Sequence, residues 1–239
     1  RAMGAAAADQ VNGAARRAYR VLFWNYFDLF HLSAMTTEQI QSVVQVQGRE
    51  AMEAALALGR GILLCTAHIG HPEAGMQFVA SYGMPVLGPA EHIRPEQLYL
   101  YLVSLRTRHG LRLIPSDGSM LELFRALKRN QAVGLALDRD TTDSGVEVTL
   151  CGARAHVPDG YARITAKTRS PLVSAMCYRR PNRGARLEVG PVYVPEVRAS
   201  RDEVYQAALD FGVRELERAI TQHSDQWVLT RPIWRADFG

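Results

Sequence analysis

Three short runs most constrain what this chain can fold into: GILLC at 61–65, AVGLAL at 132–137 and PLVSAMCY at 171–178. None alternates apolar with polar residues over its length. A strand that is apolar throughout needs cover on both faces, and that happens where helices pack on either side of a parallel sheet. The intervening segments supply those helices. PEAGMQFVASYG (72–83), RPEQLYLYLVSLRTRHG (94–110), GSMLELFRALKRN (118–130), DGYARITAKT (159–168) and residues 201–223 all carry helical periodicity. Further strands are predicted at PVLG, LRLIP and RLEVGPVYV, and a hairpin from VEVTLCG and ARAHVP. The pattern predicts an α/β fold: a central, mostly parallel sheet flanked by helices, behind an N-terminal helical portion.

That N-terminal portion begins with ARRAYRVLFWNYFDLFHL at 15–32, an amphipathic helix with an unusually aromatic face headed by Arg16, Arg17 and Arg20. Such a face either packs on a core or lies on a membrane surface. A second helix is predicted over 36–59, capped by Thr36 or Thr37 with Glu38 and Gln39 following, and ended by Gly59 and Gly61. No repeat or low-complexity linker divides the 239 residues, which reads as a single domain over 1–239, with N-terminal helices over 1–58 and the α/β core over 59–239.

Composition narrows the function classes. At 47% hydrophobic residues there is material for a large core and no case for disorder. The net charge is +4, and Lys128 and Lys167 are the only lysines, so the basic charge is almost all arginine. Arginine forks suit carboxylates, phosphates and anionic lipid headgroups. The excess is too mild, and too scattered, for nucleic acid. Cys65, Cys151 and Cys177 are odd in number, far apart and set in apolar stretches, which reads as reduced thiols in a cytosolic protein. No stretch approaches the ~20 apolar residues needed to span a bilayer. The start, RAMGAAAADQ, lacks both a signal core and an initial methionine, which suggests a processed or cut chain.

In open α/β sheets the chemistry sits at the carboxyl ends of strands. Two charged clusters meet that rule: His68-Ile-Gly-His71-Pro-Glu73 after the first strand, and Asp138-Arg139-Asp140 after AVGLAL. Neither a G-x-G-x-x-G nor a G-x-x-x-x-G-K-[ST] loop is present, and there is no G-x-S-x-G elbow for a serine nucleophile. His68, His71 and Glu73 loosely resemble the H-x-H-x-D-H run of metallo-β-lactamase-type hydrolases, but the spacing differs and a catalytic zinc needs three placed ligands. An acid–base pair is the other reading. Residues five apart cannot meet on one regular helix, but Gly70 permits a turn and Pro72 suits the first helical position. Glu73 would then sit in the first helical turn and orient His68, whose other nitrogen takes a proton from a hydroxyl. The substrate alcohol would itself be the nucleophile.

A histidine, four residues and an acid after an apolar strand resembles the H-x4-[DE] motif of glycerolipid and lipid A acyltransferases. FWNYFDLFHL, ALGRGILLCTAHIGHPEAG, AEHIRPEQLYLYLVSLRTRHGLRLIP, ALKRNQAVGLALDRDTTDSGVEVTLCGARAHVPDGYARITAKTRSPLV and DQWVLTRPIW together resemble the bacterial lipid A acyltransferase superfamily. They are most similar to its actinobacterial branch, the phosphatidylinositol mannoside acyltransferases, over nearly the whole chain from about residue 15. The resemblance implies peripheral attachment to the cytoplasmic face of the plasma membrane. It implies transfer of a fatty acyl group, such as palmitoyl, from acyl-CoA to a mannosyl hydroxyl of a glycolipid, with no metal or other cofactor. The acyl chain would lie in an apolar groove of the sheet. By the same resemblance His68 is the base and Glu73 its partner, while Glu91, Arg106, Asp138, Arg139, Asp140 and Glu147 line the substrate cleft.

Plainer roles stand beside several of these. Arg139 between two aspartates is a structural knot or a phosphate contact, Glu91 a helix cap or a cleft residue, and Arg106 part of a solvated face or of the site. His71 is a helix cap or an acceptor contact. Relatives usually carry Gly-Asn-Trp-[ED] where this chain has Gly70-His71-Pro72-Glu73, which bears on the acceptor more than on the reaction, and the chain is shorter at its front than the family pattern. Trp227 and Trp234 read as packing residues. A metal-dependent hydrolase using His68, His71 and Glu73, and a non-catalytic lipid-binding relative, are the alternatives.

Overall fold

The computed structural model describes residue 3 and residues 8–234, apart from 117, 119, 142, 182 and 183. Helix α1 (Ala8–Ala34) leads, then α2 (Thr37–Val43), β1 (Val44–Gln47) and α3 (Arg49–Leu56). The alternating core follows: β2 (Ile62–Thr66), α4 (Pro72–Ser81), β3 (Val86–Ala90), α5 (Glu96–Arg106), β4 (Leu111–Pro115), α6 (Leu121–Lys128) and β5 (Ala132–Ala136). The hairpin β6 (Val146–Leu150) and β7 (Ala153–Val157), α7 (Gly160–Thr168), β8 (Leu172–Arg179), β9 (Ala185–Tyr193) and α8 (Arg201–Gln222) complete it, with a short 3-10 turn over Ser224–Gln226.

Seven strands form one sheet in the order β1-β9-β8-β2-β5-β3-β4. Strands β8, β2, β5, β3 and β4 run parallel, and β9 turns back antiparallel to β8 with β1 parallel to it. The expected α/β layering, with a mostly parallel sheet, is what the chain adopts. The physical reason is visible in β2. Leu63 and Cys65 pack into one core cluster with residues of α6, α7 and α8, while Ile62 and Leu64 pack into a second with residues of α3 and α4. A strand covered on both faces has no polar face to show, hence the unbroken apolar runs.

One expected element is broken. Residues 36–59 do not form one helix: VQVQ at 44–47 is strand β1, paired in parallel with β9. The capping box at Thr36 is present, with Gln39 at N3 closing it. The helix ends because Val44 and Val46 alternate with glutamines and fit an edge of the sheet. Gly48 then reverses the chain at φ 75°, where a Cβ would lie 2.0 Å from the Val189 carbonyl oxygen.

Most of the aromatic face of helix α1 does not pack on the core. Leu29, Leu32 and Val21 face the protein, but Tyr19, Phe23, Tyr26, Phe27 and Phe30 are exposed, Phe23 by 72%. Exposed Tyr101 of α5 adjoins this surface, its ring 6.3 Å from that of Phe30. Among the described residues no helix is long and apolar enough to cross a membrane.

Candidate active site

The two charged clusters meet because of strand register. Strand β2 pairs in parallel with β5, with Thr66 opposite Ala136, and the Leu137 N–H still donates to the Thr66 carbonyl at 2.8 Å. His68 and Asp138 each lie two residues past that matched pair, so they emerge side by side from the carboxyl edge of the sheet. The Asp138 side chain is fully buried, whereas that of His68 is 38% exposed. His68 Nδ1 lies 2.9 Å from Asp138 Oδ1, and the His68 backbone N–H donates to Asp138 Oδ2 at 2.8 Å. With a carboxylate as acceptor, Nδ1 carries the proton, leaving the Nε2 lone pair as the basic position.

A C-terminal segment closes over this pair. The Trp227 indole Nε1–H donates to Asp138 Oδ2 at 2.9 Å. Ile69 and Trp227 form an antiparallel bridge, with Val228 N–H donating to the His68 carbonyl (2.7 Å) and Gly70 N–H to the Gln226 carbonyl (2.9 Å). Gly70, at φ 62°, turns the chain toward α4. A Cβ there would meet the Cys177 oxygen at 2.4 Å and Tyr178 Cα at 2.6 Å. The HIG turn is therefore pinned on three sides: by β5, by β8 and by the C-terminal segment.

The electrostatics follow from burial and pairing. Burial raises the Asp138 pKa, but the charge and hydrogen bonds of His68 and the Trp227 N–H outweigh it and hold the carboxyl below its ordinary value. Burial lowers the His68 pKa, yet the charge and hydrogen bond of Asp138 outweigh it and leave the imidazole above its ordinary 6.5, against the pull of Arg139 and Arg106. The group is thus a somewhat strengthened base, set between an acid and two guanidinium groups.

The expected partner of His68 is not the one found at Nδ1. Glu73 stands in the first turn of α4, as its Pro72 neighbour predicts, but its carboxylate takes a hydrogen bond from Arg106 Nε at 3.0 Å and one from Gln77 Nε2 at 2.9 Å. An arginine beside a carboxylate is a stronger partner than a neutral imidazole, and β5 brings Asp138 to Nδ1 instead. Asp138 is correspondingly no cleft-lining residue, since its oxygens are occupied by His68 and Trp227.

The other expected residues separate into three groups. Arg106, held by Glu73, and Arg139, paired with Glu91, stand close enough to His68 for their charges to act on it, and Arg139 Nε is buried without a hydrogen-bond partner. Glu91 precedes a turn rather than capping α5, whose N-cap is Pro95. Asp140 faces the hairpin, accepting from the Gly145 N–H at 2.7 Å with His156 Nε2 at 3.1 Å, so it shapes the β6–β7 entry. Glu147 lies on β6 in a groove against α8 whose lining includes none of the residues around His68.

His71 also faces inward. It is N-cap of α4 without a side-chain cap, is buried, and places Nε2 3.3 Å from Asp28 of α1, which also accepts from Arg179 at 2.5 Å. Burial, with Arg179 adding to it, pushes its pKa down to about 3, so this histidine is neutral. It fastens the turn to α1, and its buried ring leaves little surface for an acceptor. His68, His71 and Glu73 thus reach three different partners, and among the described residues no three His, Cys, Asp or Glu side chains converge as a metal would require.

Sequence reasoning missed Trp227, which it took for packing. Nothing in DQWVLTRPIW signals an indole aimed at a carboxylate 89 residues earlier. The Asp138 contact, by contrast, had a signal: two parallel apolar strands, each followed at the same offset by an ionisable side chain.

Comparison with known proteins joins this geometry to a family. The model of the bacterial lipid A biosynthesis acyltransferase family matches residues 2–236. The chain belongs to that family. Among individual relatives of this acyltransferase, a phosphatidylinositol mannoside acyltransferase of Mycobacterium tuberculosis (strain CDC 1551 / Oshkosh) is 28% identical over 222 residues, covering 90% of this chain and 67% of the relative. A phosphatidylinositol mannoside acyltransferase of Mycolicibacterium smegmatis (strain ATCC 700084 / mc(2)155) is 29% identical over 221 residues, covering 90% and 69% respectively. The chain spans about two thirds of the length of these two relatives.

Proposed function

We propose that this acyltransferase moves a fatty acyl chain from acyl-CoA to a sugar hydroxyl of a glycolipid such as a phosphatidylinositol mannoside. The observation that carries the reading is the His68–Asp138 contact at the carboxyl edge of the sheet, in a family of acyltransferases. The names of the mycobacterial relatives support the acceptor. Asp138 holds the imidazole with its proton on Nδ1. His68 Nε2 takes the proton of the acceptor hydroxyl while that oxygen attacks the thioester carbonyl. The C–S bond then breaks, and the thiolate of CoA leaves with the proton from Nε2. Arg139 and Arg106 add positive potential where the tetrahedral oxyanion forms. Glu73 has a supporting part, fixing Arg106.

The acyl chain would enter the apolar seam between the sheet and α4, lined by Leu64, Met76, Val79, Ala175, Cys177 and Leu187 beside Thr66 and Pro72, where the closed packing leaves only a water-sized void. Met76 fills it up to the glycines of β3 and β5: a Cβ on Gly134 would lie 2.5 Å from Met76 Cε. An entering chain would have to displace that flexible thioether and part α4 from the sheet. The aromatic face of α1 and α5, with exposed Arg16 and Arg20 at its amino end, suits peripheral attachment to an anionic membrane at the cytoplasmic face. The α5 end of that face leads to Arg106 and hence to the cleft.

The test is product analysis by mass spectrometry with palmitoyl-CoA or palmitoyl carrier protein as donor, in vesicles with and without phosphatidylinositol mannoside. The expected result is an acylated glycolipid formed from the CoA donor only when acceptor is present. Free palmitate as the sole product would favour a hydrolase, and intact donor in every mixture a binding protein.

A further inference from the structure

We infer that Trp227 is a positioning residue for the acid–base pair, acting through the carboxylate of Asp138, and that the C-terminal segment carrying it is part of the active site. The inference rests on the assignment of His68 as base. Asp138 Oδ2 receives two donors, the His68 backbone N–H at 2.8 Å and the Trp227 indole N–H at 2.9 Å, leaving Oδ1 for His68 Nδ1 at 2.9 Å. Two donors on one oxygen fix the rotation of the carboxylate. Without the indole, Oδ2 keeps one donor and the group can swing about its last torsion, which is soft in aspartate.

The segment is built for the task. Residues 226–228 pair with the HIG turn through two backbone hydrogen bonds, so Trp227 moves with His68 rather than independently of it. The indole is backed edge-on by Trp234 at 5.5 Å and 82°, and Trp234 donates its own N–H to the Leu150 carbonyl at 3.0 Å. The Gln226 side chain accepts from the Arg179 N–H at 2.8 Å and donates to its carbonyl at 3.3 Å, tying the segment to β8. Arg17 of α1 donates to Asp225 at 2.9 Å and ties it to α1. An ordinary packing tryptophan needs none of this alignment with a buried acid.

Removing the indole N–H has a signed effect. That donor stabilises the charged carboxylate, so its loss leaves more charge for His68 and raises the affinity of the imidazole for a proton. The other charges acting on His68, Arg139 after β5 and Arg106 on α5, are untouched by the change.

The experiment compares Trp227→Phe, which keeps a ring against Trp234 and loses the donor, with Trp234→Phe, which loses a comparable buried N–H remote from Asp138. The readouts are the His68 titration followed by NMR in the ligand-free protein, and kcat and KM for acyl transfer across pH. For Trp227→Phe the His68 midpoint should rise, and kcat should fall about tenfold, the loss of one hydrogen bond to a charged group, with KM little changed. Trp234→Phe should leave the midpoint in place. A Trp227→Phe protein with wild-type midpoint and kcat overturns the inference, as does an equal midpoint shift in both variants. Should Trp227→Phe unfold, Trp227→His, which can keep a ring N–H toward Asp138, provides the second arm: it must restore the midpoint toward wild type, and failure to do so in a folded protein counts against the inference. A shifted midpoint in a protein that transfers no acyl group would leave the Trp227 assignment standing and sink the acyltransfer reading instead.

Discussion

Replacing Asp138 by asparagine changes one atom and should reverse the chemistry of His68. In the native site Oδ2 faces two N–H donors, from His68 and Trp227, and Oδ1 faces His68 Nδ1. An asparagine has one acceptor oxygen to offer. It goes where two donors point, at the Oδ2 position, which puts the amide NH2 against Nδ1. Nδ1 must then accept, the ring proton moves to Nε2, and the nitrogen that should take the hydroxyl proton already holds one. By analogy with other oriented histidines deprived of their acid, kcat should fall on the order of 10³–10⁴-fold. The melting temperature should change little, because the shape is kept and the site gains about as many hydrogen bonds as it loses. The pH behaviour provides a second check. In the native protein the raised His68 pKa makes a stabilising contribution that is complete below pH 6.5 and is lost as pH rises through the folded-state value. Asparagine removes both the charge and the accepting hydrogen bond that together outweighed burial, so the His68 pKa should drop below 6.5 and that stability increment should vanish. Steady-state kinetics with palmitoyl-CoA across pH, beside thermal melts over the same range, measure both effects. An Asp138→Asn enzyme within about tenfold of native kcat, or a His68 midpoint unchanged by NMR, would refute the assigned hydrogen-bond pattern.

Two further outcomes follow from other parts of the molecule. Gly70→Ala forces a side chain into φ 62° and against the β8 backbone at 2.4 Å. It should destabilise by roughly 2–5 kcal/mol, read as a fall in melting temperature of about 5–15 °C for a chain of this size. The double change Phe23→Ser with Phe27→Ser removes two exposed rings from α1. It should weaken sedimentation with anionic vesicles by about thirtyfold, taking roughly half of the full burial energy of each ring. The variant should keep its fold, since neither ring contributes to the buried core.

How much of this was legible in the sequence depends on range. The layered fold was, because β2, β5 and β8 announce burial on both faces through composition alone. The 36–59 segment misled because its helical propensity is high and local, whereas the pairing that makes Val44–Gln47 a strand comes from β9, over 140 residues away. His68 was legible from its place at a strand end. Nearness in sequence points to Glu73 as its partner, whereas the carboxylate found at Nδ1 is that of Asp138. A parallel neighbour strand delivers Asp138 to the same point at the same offset, and Arg106 from another helix claims Glu73. His71 drew attention as a polar residue in a loop, yet its environment is set by Asp28 on α1. Trp227 had no local signature.

The central claim is that His68 takes the proton from the attacking hydroxyl. A single-turnover measurement with palmitoyl-CoA and phosphatidylinositol mannoside in vesicles tests it most directly, comparing native protein with His68→Ala. Acyl transfer should be lost by on the order of 10³-fold or more in the variant, while donor binding and the melting temperature stay near native. A folded His68→Ala protein that still acylates the glycolipid at a rate close to native would contradict the claim.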